Sequence, residues 1–170
     1  MSRFESTVLP HMDAAYNLAR WLTGNDHDAQ DLAQESTLRA YRFFGTFRDG
    51  DSRAWLLKIV RNTCYTWLKK NRARETFDEF DEELHSADNP LAGGEIVLRN
   101  SDRNVFNSAL EELPPEFREM IVLHELEGLS YKEIAEIAEI PIGTVMSRLA
   151  RARERLRENL ARRIKRGITT

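Results

Sequence analysis

The segment that most limits how this chain can fold lies near its C-terminal end, at residues 129–156, and it predicts two helices joined by a tight turn. Ser130 and Glu133 have the spacing of a capping box, in which each side chain satisfies a free amide at the start of a helix. Pro141 is predicted to occupy the first position of the second helix, because that position needs no amide donor. The segment therefore predicts a helix-turn-helix motif.

The second of these helices has an apolar side and a polar side. Apolar residues step by four, three and four, which predicts a buried stripe: Val145, Leu149, Ala152 and Leu156. Hydroxyl and guanidinium groups fall on another face: Thr144, Ser147, Arg148, Arg151 and Arg155. This is the layout of a recognition helix that enters a DNA major groove. The alternative is an amphipathic surface helix with solvated arginines, and the turn carries Glu139 where glycine is common.

Composition and charge favour a helical protein with separate acidic and basic regions. The chain has 170 residues, a length that suits one ordinary domain or two small ones. Its residues are 41% hydrophobic and 31% charged, a composition that fits a helix-rich protein. The net charge is −3, yet residues 148–166 are rich in arginine and lysine, whereas residues 75–83 are rich in aspartate and glutamate. A basic DNA-binding surface is therefore compatible with the negative net charge of the chain.

The remaining composition predicts neither a cofactor nor a membrane segment. Cys64 is the only cysteine, which excludes an internal disulfide and a cysteine-based zinc site. The histidines lack paired metal-ligand spacing. No apolar run is long enough to span a bilayer, and the N-terminal residues lack the apolar core of a signal peptide. We expect a cytoplasmic protein without a metal or cofactor.

Helical periodicity predicts an all-α fold with two small helical domains joined by a flexible acidic linker. We place the domains at residues 1–74 and 96–170 and the linker at 75–95, which is acidic and contains Asn-Pro and Gly-Gly pairs. Within the first domain, helices are predicted at residues 4–22, from Asn25 or Asp26 to Phe44, and at 53–74. A loop is predicted at residues 47–52 because Asp-Gly pairs favour turns.

An acidic stripe marks the second predicted helix. Asp28, Asp31 and Glu35 are spaced three and four apart, so they share one helix face with Gln34 beside them. Like charges at this spacing cost an isolated helix about 0.2–0.5 kcal/mol. The stripe therefore indicates a surface for a basic partner, or else an ordinary solvated face.

The third predicted helix combines aromatic and basic residues. Trp55, Tyr65 and Trp67 alternate with lysines and arginines along residues 53–74. Aromatic rings can stack on unpaired bases while cations hold phosphates. Burial of the two tryptophans in the core is an equally good interpretation.

Together these motifs resemble the extracytoplasmic-function sigma factors of bacterial RNA polymerase. DHDAQDLAQESTLRAYRFF at residues 26–44 resembles the family's DAEDLVQETFLRAY signature, and FRDGDSRAWLLKIVRNTCYTWL at 47–68 is similar to its FRG and WL-x-x-IARN patterns. The segment LPPEFREMIVLHELEGLSYKEIAEIAEIPIGTVMSRLARARERLR resembles the family's C-terminal domain over its whole length. The resemblance implies two domains, sigma region 2 and sigma region 4, that bind core RNA polymerase and a promoter.

The resemblance also implies roles for particular residues. The acidic stripe matches the segment that docks on the clamp helices of the largest polymerase subunit: Asp28, Asp31, Gln34 and Glu35. The loop and one helical residue match the elements that read the single-stranded −10 promoter segment: Arg48, Asp49, Gly50, Asp51, Ser52 and Asn62. The polar face of the last helix matches contacts to the duplex −35 element: Thr144, Ser147, Arg148 and Arg151, with Arg155 on the same face. Met146 stands where several relatives carry arginine, which puts one such contact in doubt.

Two other function classes remain possible on the sequence alone. A stand-alone helix-turn-helix regulator would have the same C-terminal half. It would not need both the acidic stripe and the loop at residues 47–52 with the aromatic helix that follows it. A small helical hydrolase is disfavoured because no acid, base and nucleophile can be assembled, so we expect no enzymatic activity. By resemblance, an anti-sigma factor is the expected regulator.

Overall fold

The structure is a computed structural model that describes residues 1–75 and 97–168. The first domain consists of α1 (Arg3–Val8), a 3-10 turn (Leu9–His11), α2 (Met12–Thr23), α3 (Asp26–Arg42), a 3-10 turn (Phe44–Thr46) and α4 (Ser52–Glu75). Helices α2, α3 and α4 pack on one another around Leu18, Leu22, Leu56 and Leu57, which are fully buried. This part of the chain is a small helical bundle.

Local chemistry explains where these helices begin and end. Gly24, with a φ of 76°, ends α2 in the left-handed conformation that glycine adopts without strain. Asn25 caps α3 by accepting a hydrogen bond from the Asp28 amide at 3.0 Å. The Asp51 carboxylate likewise accepts a hydrogen bond from the Ala54 amide at 3.1 Å at the start of α4.

The second domain consists of α5 (Val97–Glu111), α6 (Pro115–Ile121), a π-helical turn (Val122–Leu126), α7 (Tyr131–Ala138) and α8 (Ile142–Ile168). Helix α8 packs against α5, α6 and α7. The predicted stripe of Val145, Leu149, Ala152 and Leu156 is buried, which confirms the assignment of that face to the core.

The prediction of a single helix at residues 4–22 was wrong, because a 3-10 turn that contains Pro10 separates α1 from α2. Three other boundaries were wrong by one or two residues. Ser52 was expected in the loop but is the first residue of α4, because Asp51 rather than Ser52 caps the helix. Helix α3 ends at Arg42 instead of continuing through Phe44, which lies in a separate 3-10 turn. Helix α8 begins at Ile142, one residue after Pro141, whose carbonyl accepts the first amide hydrogen bonds of the helix.

The two domains pack directly on each other. Helix α4 contacts α7, and α2 contacts α6, so that the buried residues of both domains form one continuous hydrophobic cluster. Of the predicted linker, only Glu75 lies within the described residues. None of the helices in the described part of the chain is both long enough and apolar enough to cross a membrane.

Candidate nucleic-acid interface

The helix-turn-helix is built as its sequence pattern predicts. The Ser130 hydroxyl accepts a hydrogen bond from the Glu133 amide at 3.1 Å, and the Glu133 carboxylate accepts one from the Ser130 amide at 3.0 Å, which confirms the capping box. Glu139 occupies the turn with a φ of 57°, a left-handed conformation that costs most residues free energy. The turn therefore has a backbone geometry that suits glycine, and Glu139 is strained by adopting it.

The polar face of α8 is available to solvent. Ser147, Arg151 and Arg155 are exposed, whereas Thr144 and Arg148 are half-buried. The Arg155 guanidinium lies 5.7 Å from the centre of the Phe117 ring, which limits its freedom. Met146 is 54% exposed beside this face and adds an apolar group to it.

The predicted −10 loop lies beside an open groove of about 340 Å³ at the start of α4. Its lining combines loop, α4 and α7 residues: Phe47, Arg48, Asp51, Ala54, Trp55, Lys58 and Glu136. Asp49 and Gly50 are exposed nearby, and Asp49 accepts a hydrogen bond from Arg3 at 2.9 Å. Asn62 is exposed farther along α4.

Neighbouring side chains fix the charge state of this loop. The Glu133 carboxyl group across the domain boundary, the Ala54 amide and the charge of Arg53 together hold the pKa of Asp51 below its usual range. Ser52 lies 2.9 Å from His11, and burial together with the charge of Arg53 lowers the pKa of that imidazole. Asp51 is thus an anion and His11 is neutral at physiological pH.

The aromatic residues near the loop pack on one another. The Phe47 ring lies 5.1 Å from Trp55 and 5.9 Å from Phe44, and Trp55 lies 6.2 Å from Phe44. Trp55 and Trp67 both pack against the core while remaining partly exposed. Trp55 therefore has one side in the core and one edge in the groove.

The acidic stripe of α3 lies mostly at the surface. Asp31, Gln34 and Glu35 are exposed, and Asp28 is half-buried. Glu35 is bonded to Arg39 at 3.0 Å, and Asp31 lies 3.5 Å from His27. Exposed apolar side chains stand beside the stripe, at Leu38 and Tyr41, which are 61% and 68% exposed.

A polar interface between the two domains was not predicted from the sequence. Arg61 of α4 donates two hydrogen bonds to Glu119 of α6, at 2.8 and 3.1 Å, and Glu119 is completely buried. Lys58 pairs with Glu139 at 3.0 Å, and Arg118 donates to the Trp21 carbonyl at 2.8 Å. The one sequence signal for this interface is that Glu119 directly precedes an apolar run.

Comparisons with known proteins agree with this architecture. The model of sigma-70 region 2 matches residues 7–74, and the model of sigma-70 region 4 matches residues 103–156. The chain is 36% identical over 170 aligned residues to an extracytoplasmic-function RNA polymerase sigma-E factor of Haemophilus influenzae, with 94% of this chain and 85% of that protein covered. The chain belongs to the extracytoplasmic-function sigma factor family. It is therefore a transcription initiation factor of the promoter-directing kind rather than a stand-alone regulator.

Two further comparisons support the family. The sigma factor SigE of Mycolicibacterium smegmatis is 35% identical over 163 residues, which cover 95% of this chain but only 63% of that protein. Among solved structures, the sigma factor RpoE of Bartonella quintana, in complex with the anti-sigma factor NepR, superposes with a TM-score of 0.75 at 31% identity, covering 95% of this chain and 98% of that one. Members of the sigma family are initiation factors and not enzymes.

Proposed function

We propose that this sigma factor binds core RNA polymerase through the acidic face of α3 and reads promoters through α4 and α8. The observation that carries this proposal is the joint presence of both sigma domains with their polar faces exposed. A regulator that binds operators alone would have no use for an exposed acidic and apolar surface on α3. We keep residues 1–74 and 96–170 as the functional domains.

The polymerase contact is assigned to Asp28, Asp31, Gln34 and Glu35. Exposed carboxylates beside the exposed apolar residues Leu38 and Tyr41 form a mixed surface of the kind that protein interfaces use. The partner surface is expected on the clamp helices of the largest polymerase subunit, and it must carry positive charge.

The −10 contact is assigned to the loop, its neighbouring groove and Asn62. The loop residues are Arg48, Asp49, Gly50, Asp51 and Ser52. The groove has an aromatic wall at Phe47 and Trp55, and cations at Arg48 and Lys58. This combination suits a base that has been flipped out of the duplex, because the ring can stack while the cations hold phosphates.

The −35 contact is assigned to the polar face of α8. The residues are Thr144, Ser147, Arg148, Arg151 and Arg155. Arginine reads guanine in the major groove through two parallel hydrogen bonds, and hydroxyl groups contact bases or phosphates. Because Met146 is apolar, its contact is restricted to apolar groups such as the thymine methyl.

An anti-sigma factor is the proposed regulator. The Bartonella relative was solved with such a protein, and this chain superposes on it over nearly its whole length. Because the targets are polymerase and chromosomal DNA, we place the protein in the cytoplasm at the nucleoid, with no enzymatic activity of its own. Affinity purification from unstressed cells is expected to recover a small stoichiometric protein that competes with core polymerase, and recovery of polymerase subunits alone would contradict this regulation.

The promoter-reading assignment can be tested by selection. Holoenzyme reconstituted from this chain and core polymerase is expected to enrich a two-part motif, with −35 and −10 elements, from a random duplex library. Core polymerase alone serves as the control. Enrichment of one palindromic motif by the free chain, unaffected by polymerase, would instead support operator binding.

A further inference from the structure

A short N-terminal segment, residues 3–11, contacts the proposed −10 loop at its middle and at its end. Arg3 donates a hydrogen bond to the Asp49 carboxylate at 2.9 Å, although the two residues are 46 apart in the sequence. The Nε2 atom of His11 lies 2.9 Å from the Ser52 hydroxyl. Both contacts join the segment to residues that are assigned to promoter reading. The position of the loop therefore depends on more than its own backbone.

Aromatic rings give the segment a third contact, at the residues that lead into the loop. Phe4 of α1 meets Phe44 edge-on, with ring centres 5.4 Å apart. Phe44 stacks on Phe47 at 5.9 Å, and Phe47 lies 5.1 Å from Trp55 in the wall of the groove. Rings at such separations attract each other beyond the effect of their burial. A continuous row of rings thus joins α1 to the groove.

Helix α1 is itself fixed to the bundle, so it can hold the loop in place. Val8 is buried in the core, and α1 contacts α4. The Ser2 hydroxyl caps α1 by accepting a hydrogen bond from the Glu5 amide at 3.1 Å. Phe4 also packs edge-on against Tyr41 of α3, with ring centres 5.2 Å apart. Helix α1 therefore links the loop to the core and to α3.

The Arg3–Asp49 pair is too exposed to matter much for the stability of the fold. The Arg3 side chain is 67% exposed and that of Asp49 is 95% exposed, and ion pairs at such positions are weak. The Arg3 guanidinium also lies 5.7 Å from the centre of the Phe44 ring, so a second contact directs it toward the loop. Loss of Arg3 is therefore expected to release the loop without unfolding the domain.

We propose that Arg3 and Phe4 are positioning residues for promoter reading, which hold the −10 loop in the conformation that receives the flipped base without touching that base. This proposal rests on the assignment of the loop to −10 reading. A loop that is ordered before binding loses less conformational entropy when the base enters, so the two residues strengthen binding through pre-organisation. Both residues precede the match to sigma-70 region 2, which begins at residue 7.

Pre-organisation has a measurable consequence for −10 binding. When only a fraction of molecules has the competent loop, the apparent dissociation constant for the strand rises by the inverse of that fraction. Releasing the loop therefore weakens −10 binding although every group that touches the strand is still present. Contacts of α3 to polymerase and of α8 to the −35 duplex are expected to change little when Arg3 is replaced.

Four variants separate the ion pair, the ring contacts and a general loss of charge. Arg3→Ala removes the bond to Asp49, whereas Arg3→Lys keeps a cationic donor that can replace it. Phe4→Leu keeps an apolar side chain but removes the edge-on ring contacts. Arg42→Ala is the matched control, because it removes the same charge from an exposed position at the end of α3.

The first measurement is binding of holoenzyme to a labelled promoter fork in which the −35 element is paired and the −10 segment is unpaired. Arg3→Ala is expected to weaken this binding about threefold, since exposed ion pairs are individually weak. Phe4→Leu is expected to weaken it about fivefold, since it loses two ring contacts. Arg3→Lys and Arg42→Ala are expected to bind the fork like wild type. Circular dichroism verifies folding, and if Phe4→Leu unfolds, the Arg3 variants decide alone.

A double-mutant cycle shows whether Arg3 acts through Asp49. If Arg3 positions the loop, Arg3→Ala has little further effect on fork binding in a chain that already carries Asp49→Ala. If Arg3 touches the nucleic acid directly, its full effect persists in that chain, and the positioning role is overturned.

Hydrogen exchange at residues 47–52, followed by mass spectrometry, measures the order of the loop in the free chain. Exchange is expected to be at least about threefold faster in Arg3→Ala and Phe4→Leu than in Arg42→Ala. Fork binding by both variants equal to that of Arg42→Ala would overturn the proposal, and so would weaker fork binding without faster exchange. Failure of the proposed function is a separate result, because wild-type holoenzyme would then not bind the fork at all.

Discussion

At the scale of single residues, burial sets the chemistry of several side chains as strongly as charge does. Burial raises the pKa of Glu119, and the Arg61 guanidinium opposes this by favouring the anion. Removing one partner of a buried ion pair costs about 3–5 kcal/mol, because the other charge stays buried without compensation. The pair therefore fixes how the domains meet more than it adds net stability.

Cys64 gives a direct check of the first domain's core. It is fully buried in α4, and burial, with a smaller contribution from Glu35, raises the pKa of its thiol to about 12. Since the thiolate is the reactive form, iodoacetamide at pH 8 is expected to modify the native chain at least about 100-fold more slowly than the urea-unfolded chain. Mass spectrometry of the single cysteine measures both rates. Equal rates would show that the core is open.

Arg148 and Arg151 test the −35 assignment. Replacing a base-reading arginine by alanine is expected to cost about 1–3 kcal/mol at its cognate site and to relax the preference there. A phosphate-binding arginine would instead lower affinity evenly and reduce the salt dependence. Holoenzyme binding to single-base promoter variants at two salt concentrations separates these cases, with Arg157→Ala as the control on an exposed position of α8. Wild-type affinity of both alanine variants for every promoter would make the arginines ordinary solvated residues.

At the scale of elements, α3 serves both the core and the surface. Ala29, Leu32, Ala33 and Ala40 are buried, while the acidic stripe faces out. Glu35 bonds to Arg39, which also donates to Thr63 of α4 at 3.2 Å, so a change at Glu35 would disturb helix packing as well as surface charge. Asp31 is the cleaner probe of the surface.

Asp31→Lys is expected to weaken binding to core polymerase about tenfold, and more strongly at low salt, because it places a like charge against a basic partner. Helix content is expected to stay unchanged, since Asp31 is exposed. A solution titration against core polymerase measures the affinity, and circular dichroism measures the helix. Glu158→Lys makes the same charge reversal on an exposed position of α8. If the two variants bind core equally well, α3 is not the docking surface.

Helix α4 is predicted to act in promoter opening through Asn62. Asn62→Ala is expected to reduce the unpaired −10 segment while leaving core binding intact, because its side chain is exposed and assigned to the separated strand. Permanganate reactivity of unpaired thymines, at matched holoenzyme concentrations, reports this step. Thr66→Ala, one turn farther on an exposed position, is the control. Normal reactivity in Asn62→Ala would remove Asn62 from the reading set.

At the scale of the whole molecule, the sequence predicts the individual helices better than the packing of the two domains on each other. Local periodicity and caps predicted the helix-turn-helix and the buried stripe of α8, because these signals depend on residues three or four apart. The Arg61–Glu119 pair joins residues 58 apart and exists only when two finished domains dock. The sequence placed Glu139 in the turn at a position where glycine is common, but its pairing with Lys58 could not be predicted, because that lysine lies in the other domain.

Run-off transcription with purified core polymerase and this chain, on templates that carry the selected two-part promoter, tests directly whether the chain directs polymerase to promoters. If the chain has this promoter-directing function, we expect a defined transcript that requires both the chain and the promoter. Altering either promoter element is expected to abolish the transcript. Transcription that is independent of the chain, or a chain that never redirects core polymerase to these templates, would contradict it.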